Sequence, residues 1–390
     1  VEKMKENLFY YAPPTELDVV SSQGSYVTSS DGRDYLDFLS GWCVGNAGWG
    51  KKEIAGAVAS FEGPTYVLPT YKYSRWEALA EKLVLLMPQA KGTCFKATGG
   101  TEAVEIALKI ARAHNHRKKF IAFADAYHGQ SYACMALVGL HQDKFGDYGS
   151  DYIHLQGRGA IDWDKNTQQA VKAIKSKQVC AFICEPILCN LGVIVPPKEF
   201  FEQVKDACTQ TDTVFIMDEV ATGFCRTGKM LGLEHYELQP DIVTMAKGLS
   251  SGYGAIGATI ALPAIAESMR FEFSNYSTYG WHPLAVEAAI ANVIYLQKNK
   301  LAQKSSQSGG YFSKLLGEFC DTQGKGLCVG LDTPSDAIRA ECFKNGLLID
   351  AFYNRAVLYP PLDVTKIEMD AAAAMLEKSL KNLRQRMRTK

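Results

Sequence analysis

Short apolar runs, each bounded by polar or turn-forming residues, recur through the middle of this chain. They lie at 94–97, 120–123, 180–184, 214–217, 242–245 and 257–262. Runs this short and this continuous are the mark of strands buried on both faces. Between them apolar positions recur at helical spacing, over 102–113, 198–209 and 283–297, so each helix would lay one face on a sheet. Strand–helix alternation of this kind predicts a largely parallel α/β sheet. Before residue 50 the pattern differs. Residues 24–39 read as a hairpin, with Asp31-Gly32 supplying its turn. From about residue 300 the chain reads as an α+β piece that ends in a helix over 366–388, rich in Ala, Leu, Glu and Lys. The expected division is a large α/β domain at 50–299 and a small α+β domain drawing on 1–49 and 300–390.

Charge removes one class of partner. The 42 basic and 42 acidic side chains cancel, leaving no field that would gather nucleic acid or anionic lipid. Eleven cysteines, an odd number, sit partly inside apolar runs such as 179–184. Reduced thiols in the cytoplasm fit this better than a disulfide framework. Cys180, Cys184 and Cys189 lack the CxxC spacing of a zinc site and read as small buried hydrophobes, so no metal is expected. No apolar stretch reaches the roughly 20 residues that span a bilayer. The charged start at 1–6 has no apolar core behind it, so no signal peptide is expected.

Chemistry gathers at the ends of the predicted strands. Thr98-Gly99-Gly100-Thr101-Glu102-Ala103 follows one strand and opens a helix. The first-turn N–H groups there are free and carry the positive end of the helix dipole. Glycines admit a ligand to the backbone and Thr101 adds a hydroxyl, which together make a phosphate cup. An ordinary strand–turn–helix junction would use the same residues. Asp218 and Glu219 end the 214–217 run, at the sheet edge where α/β ligand sites lie, although a helix cap or surface pair would also place carboxylates there. Lys247 ends the 242–245 run and precedes Gly248-Leu249-Ser250-Ser251-Gly252. A lysine partly desolvated at such an edge suits Schiff-base chemistry, and a lysine reaching to solvent occupies the same kind of position.

A fourth segment, Ala126-Tyr127-His128-Gly129, joins these three in order, and together they resemble the class III aminotransferases of pyridoxal-phosphate fold type I. The resemblance runs over nearly the whole chain. It includes Tyr35-Leu36-Asp37, Glu185-Pro186, Asp218-Glu219-Val220-Ala221-Thr222-Gly223-Phe224, Arg226-Thr227-Gly228-Lys229 and Ser277-Thr278-Tyr279-Gly280. It implies a mostly parallel seven-stranded sheet and pyridoxal 5'-phosphate as cofactor. It also implies that Lys247 holds the cofactor covalently and moves the proton, while Asp218 pairs with the ring nitrogen. Val220 and Tyr127 would cover the two ring faces, with His128 and Glu185 beside the ring. Gly100 and Thr101 would bind the phosphate, joined by Thr278 of a second subunit in a homodimer. His128 is expected to pack or hydrogen-bond, and Arg226 to brace its loop.

Departures from the family pattern narrow the substrate. The ornithine and acetylornithine branch carries a glutamate, a glutamine and a switching arginine where this chain has Asn190, Ala221 and Val357. Ser40-Gly41-Trp42-Cys43 and the segment 247–253 resemble the ω-amino-acid and amine branch, with Trp42 as a pocket wall. Arg355 is the nearby candidate for the acceptor carboxylate, since its planar fork can hold one bidentately; a solvated loop arginine reads equally well. Tyr66, Tyr71, Tyr73 and Trp76 read as packing, with a substrate entrance as the alternative. The implied reaction is transfer of an amino group from an amine or amino-acid donor to a keto acid such as pyruvate or 2-oxoglutarate. An aminomutase, racemase or decarboxylase on the same scaffold is the alternative.

Overall fold

The structure is a computed structural model and describes residues 17–388. The charged start at 1–6 lies outside those residues. Seven strands make the central sheet, in the order Thr93–Ala97, Gly257–Ala261, Ile242–Met245, Val214–Asp218, Val179–Cys184, Lys119–Phe123, Tyr152–Leu155. From Ile242–Met245 to Tyr152–Leu155 all neighbours are parallel. Gly257–Ala261 runs antiparallel to both strands beside it. The strand Thr93–Ala97 therefore points the same way as the parallel set, and its C-terminal end shares their edge.

Continuous apolar runs became the interior. Every residue of Val179–Cys184, Val214–Asp218, Ile242–Met245 and Gly257–Ala261 is buried, as strands covered on both faces require. The helix Gly100–Asn115 lies on them through Ala103, Val104, Ile106, Ala107, Leu108, Ile110 and Ala111. It ends where His116 turns left-handed, at φ 57. The seventh strand, Tyr152–Leu155, has no such run in the sequence. It is an edge strand, bonded only to Lys119–Phe123, and most of it is half-buried.

The expected hairpin is Tyr26–Ser29 against Asp34–Asp37, closed by Gly32 at φ +82 with the Asp31 carboxylate accepting the Arg33 N–H. It belongs to a four-stranded sheet that also takes in Val19–Gln23 and, from the far end of the chain, Leu347–Leu348. Leu347 pairs with Leu36 and Leu348 with Asp37. A second four-stranded sheet holds Thr322–Lys325, Cys328–Asp332, Arg355–Leu358 and Asp350–Phe352. The helix Lys366–Arg388 forms over the expected residues. Among the described residues no helix is long and apolar enough to cross a membrane.

Candidate active site

A cavity of about 500 Å³ opens at the edge where the parallel strands end. All of them except the edge strand Tyr152–Leu155 deliver a side chain or turn to it. Lys247 follows Ile242–Met245, Asp218 ends Val214–Asp218, Glu185 follows Val179–Cys184, and Tyr127 and His128 follow Lys119–Phe123. Thr98 to Thr101 arrive from Thr93–Ala97, and Val220 and Trp42 complete the lining. Gly254, Ala255 and Ile256 also line it. The sequence reading missed these three, because an apolar run does not show its direction; the antiparallel strand enters the sheet at the edge where the others leave.

Asp218 is the best-anchored group. Its Oδ1 accepts the Val220 N–H at 3.0 Å and the Thr244 hydroxyl at 2.9 Å, and its Oδ2 meets His128 Nδ1 at 2.6 Å. Both side chains are buried. Burial opposes a proton on His128, but the hydrogen bond and charge of Asp218, with the charge of Glu185, outweigh it and raise its pKa. Two buried atoms facing this region, His128 Nε2 and Glu185 Oε1, have no hydrogen-bond partner among the described residues. Burial pushes Glu185 up to about 7, against the pull of His128, while the Asp218 charge adds to the rise.

The neighbouring carboxylate turns away. Glu219 accepts the Thr222 hydroxyl and the N–H groups of Gly232 and Leu233, at 2.5, 2.9 and 2.7 Å. It thus caps the short 3-10 helix Gly232–Tyr236. Burial lifts it to about 7 as well. An acid whose pKa is raised by folding stabilises the native state below its unfolded value and loses that contribution as pH climbs through the folded one. Melting temperature should therefore fall between pH 4.5 and 7, the ordinary and raised values of Glu185 and Glu219. In Glu185→Gln that slope should become shallower, since one of the raised carboxyls is gone. An unchanged slope would place the titration elsewhere.

The helix Gly100–Asn115 starts at the cavity wall with no side-chain cap on Gly99. Glu102 folds back instead, accepting both the N–H and the hydroxyl of Thr98 at 2.6 Å. A Cβ on Gly100 would stand 2.9 Å from Val220, and one on Gly129 would stand 2.6 Å from the Thr101 hydroxyl. Side chains at these two positions would fill the cradle between the helix start and Val220. Trp42 lines the cavity from a turn in which Ser40, Gly41, Trp42 and Cys43 all have φ between 48 and 63, a one-turn left-handed helix that costs roughly 1–2 kcal/mol for each residue with a side chain. Trp42 stacks there on Phe352, with ring centroids 5.4 Å apart and planes 18° apart.

Not every expected residue reaches the cavity. Thr278 is exposed, on a loop whose Ser277 hydrogen-bonds Glu102. Arg355 lies outside: its Nε donates to the Gly192 carbonyl at 2.8 Å and its fork pairs with Asp332. The physical reason is that Asp332 supplies the carboxylate, while Gly192 leaves space for the arginine stem, where a Cβ would be 2.6 Å away. Asn190 and Ala221 do line the cavity. Val357 packs behind it with Ala221, Cys189 and Tyr359. Tyr66 and Tyr71 are exposed, whereas Trp76 is buried and donates to the Trp281 carbonyl. Arg226 is fully buried, bonding Asn46 and the carbonyls of Leu327 and Pro360. His114 pairs with Asp212 on the surface. Among the described residues no group of three or more His, Cys, Asp or Glu could hold a metal.

A cradle at a helix N-terminus, a lysine at a strand end and a buried carboxylate tied to a histidine suit a phosphorylated pyridine aldehyde. The phosphate would meet free N–H groups, and the carboxylate a ring nitrogen. Comparison with known proteins agrees with that chemistry. The family model for Aminotransferase class-III matches residues 10–380. An uncharacterized aminotransferase of Bacillus subtilis is 31% identical, over 93% of this chain and 91% of its own length. Acetylornithine aminotransferase of Archaeoglobus fulgidus is 29% identical, over 96% of this chain and 99% of its own. The crystal structure of a Bacillus anthracis aminotransferase superposes with a TM-score of 0.88 at 27% identity, covering 96% of each chain. The chain belongs to the class III aminotransferases, enzymes of fold type I that work with pyridoxal 5'-phosphate.

Proposed function

We propose that the cavity carries transamination from an ω-amino acid or simple amine to a keto acid such as pyruvate or 2-oxoglutarate. The observation that carries this reading is that Lys247, the bonded Asp218–His128 pair and the start of the Gly100 helix all line one cavity. Bound pyridoxal phosphate supplies an electron sink for the carbanion next to the donor nitrogen. Lys247 would hold the cofactor covalently and move the proton at the donor carbon. Asp218 would keep the ring nitrogen protonated, with His128 bonded to it and Glu185 nearby. Val220 and Tyr127 would hold the ring, and Gly100 and Thr101 would hold the phosphate. Neutral Asn190 and Ala221 on the substrate side, with Val357 behind them, support a donor outside the ornithine type. A panel of donors, each given in excess and read by loss of the visible cofactor band, tests this. Bleaching confined to α-amino acids would overturn the donor class, and turnover without keto-acid consumption would favour an aminomutase or racemase.

The second subunit belongs to the same reading. Tyr66, Tyr71, Phe271, Phe273, Tyr276 and Tyr279 are all exposed, with Tyr66 and Tyr279 in edge contact at 6.1 Å. An exposed apolar patch of this kind supports a homodimer interface. The patch carries Thr278, which would then complete the phosphate site of the partner. Phe273→Asp should yield a monomer in sedimentation and lose cofactor on gel filtration; a dimeric, loaded variant would remove this surface from the interface. The pairing of Leu347–Leu348 with Asp34–Asp37 supports a small domain drawn from 1–49 and 300–390 around the large one at 50–299. Eleven free thiols support a reducing, cytoplasmic location.

A further inference from the structure

Asp37 is a buried carboxylate that does not line the cavity. We propose that Asp37 is a positioning residue that holds the left-handed turn 40–43 so that Trp42 stands as the cavity wall, and so sets the size of donor accepted. The proposal rests on reading the cavity as the transamination site.

A run of left-handed residues persists only where its surroundings over-determine it. Asp37 meets that need at the start of the turn. Its Oδ1 accepts the N–H groups of Leu39 at 3.0 Å and Ser40 at 2.8 Å. Its Oδ2 accepts the indole N–H of Trp49 at 2.9 Å. The Trp49 ring covers the outer side of the turn, so close that a Cβ on Gly45 would stand 2.9 Å from it. One carboxylate therefore fixes both the entry to the turn and the ring that closes over it.

That orientation passes to Trp42 through the backbone. The Leu39 carbonyl accepts the N–H of Trp42 at 2.9 Å, and the Ser40 carbonyl accepts those of Val44 and Gly45 at 2.9 Å. Asp37 itself is held by its own N–H on the Ser25 carbonyl at 2.7 Å. Next to it, Phe38 donates to Leu348 and its carbonyl accepts from Tyr359. Tyr359 and Phe352 are the rings against which Trp42 packs. The carboxylate, the turn and the aromatic wall thus belong to one block.

Three variants of the holoenzyme test this: Asp37→Asn, which loses the charge and one acceptor; Trp49→Phe, which loses the indole donor and the outer ring over Gly45; and Trp42→Ala, which removes the wall. Half-reactions with β-alanine and 1-phenylethylamine, followed at the cofactor band, give a saturation constant and limiting rate for each. Trp42→Ala should shift the preference toward the bulky amine about tenfold. Asp37→Asn and Trp49→Phe should shift it the same way, about threefold or more, through the saturation constant and not the limiting rate. Trp49→Phe leaves Asp37 and its bonds to Leu39 and Ser40 in place, so it reads the same block even where Asp37→Asn does not fold. A wild-type preference in Asp37→Asn, or in Trp49→Phe where Asp37→Asn does not fold, overturns the role of Asp37 and leaves the transamination reading standing. A wild-type protein with no band and no turnover overturns both.

Discussion

Lys247→Ala is expected to leave a folded protein with no visible cofactor band and turnover lowered on the order of 10⁴-fold. The argument is positional. Lys247 stands with one residue between it and a strand whose every residue is buried, with φ at 42, and is itself only half-buried. Truncation therefore opens space in an existing cavity and leaves the packed core intact. The positive φ is retained by the backbone hydrogen bond from Ser250 to the Lys247 carbonyl at 3.2 Å. Absorbance after gel filtration reads the loss, and borohydride reduction followed by peptide mass analysis should place the cofactor on Lys247 in the wild type. A variant that keeps its band, or a label found on Lys96 or another lysine, would sink the assignment. Lys96 is the informative control. It is half-buried over the Trp76 ring and its pKa is lowered to about 8 by burial, yet it does not line the cavity.

The sheet was legible because burial writes itself into strands covered on both faces. Val179–Cys184 is apolar at all six positions, and no alternative element explains such a run between turn residues. Tyr152–Leu155 and Val19–Gln23 were not legible for the converse reason. The first is bonded on one side only, and the second is exposed throughout, so tertiary pairing and not pattern makes them strands. Direction was hidden too. Gly257–Ala261 reads like its parallel neighbours, and its reversed direction is seen only in its pairing register.

For the site, the sequence carried residue types and order but not partners. Asp218 and Glu219 are adjacent and chemically alike, and pleating sends one to the cavity and the other to the Gly232 helix. His128 could be placed near the ring by resemblance, yet its bond to Asp218 spans ninety residues and no local spacing encodes it. Arg355 shows the limit most clearly. Its choice between a substrate carboxylate and Asp332 depends on a strand register, Asp332 opposite Arg355, which is a property of the folded sheet.

Asp218→Asn should fold, retain a visible band and lose about 10³-fold in kcat with a much smaller change in KM. The amide keeps the shape of the side chain and one acceptor, so Thr244 or the Val220 N–H can still be satisfied. What disappears is the charge that holds a proton on the ring nitrogen, a loss felt where charge develops and not where substrate binds. A second readout follows from His128. Its pKa is raised by Asp218 against burial, so its paired, protonated form stabilises the fold below the ordinary value of 6.5 and that contribution fades as pH rises through the higher folded value. In Asp218→Asn the hydrogen-bonded charge is gone, burial is left to dominate, and the imidazole should titrate below its ordinary value by nitrogen NMR. The proton leaving His128 and the drop in kcat should appear together, because both depend on the same carboxylate. A kcat within about threefold of wild type alongside the shifted imidazole would show that Asp218 serves His128 and not the ring.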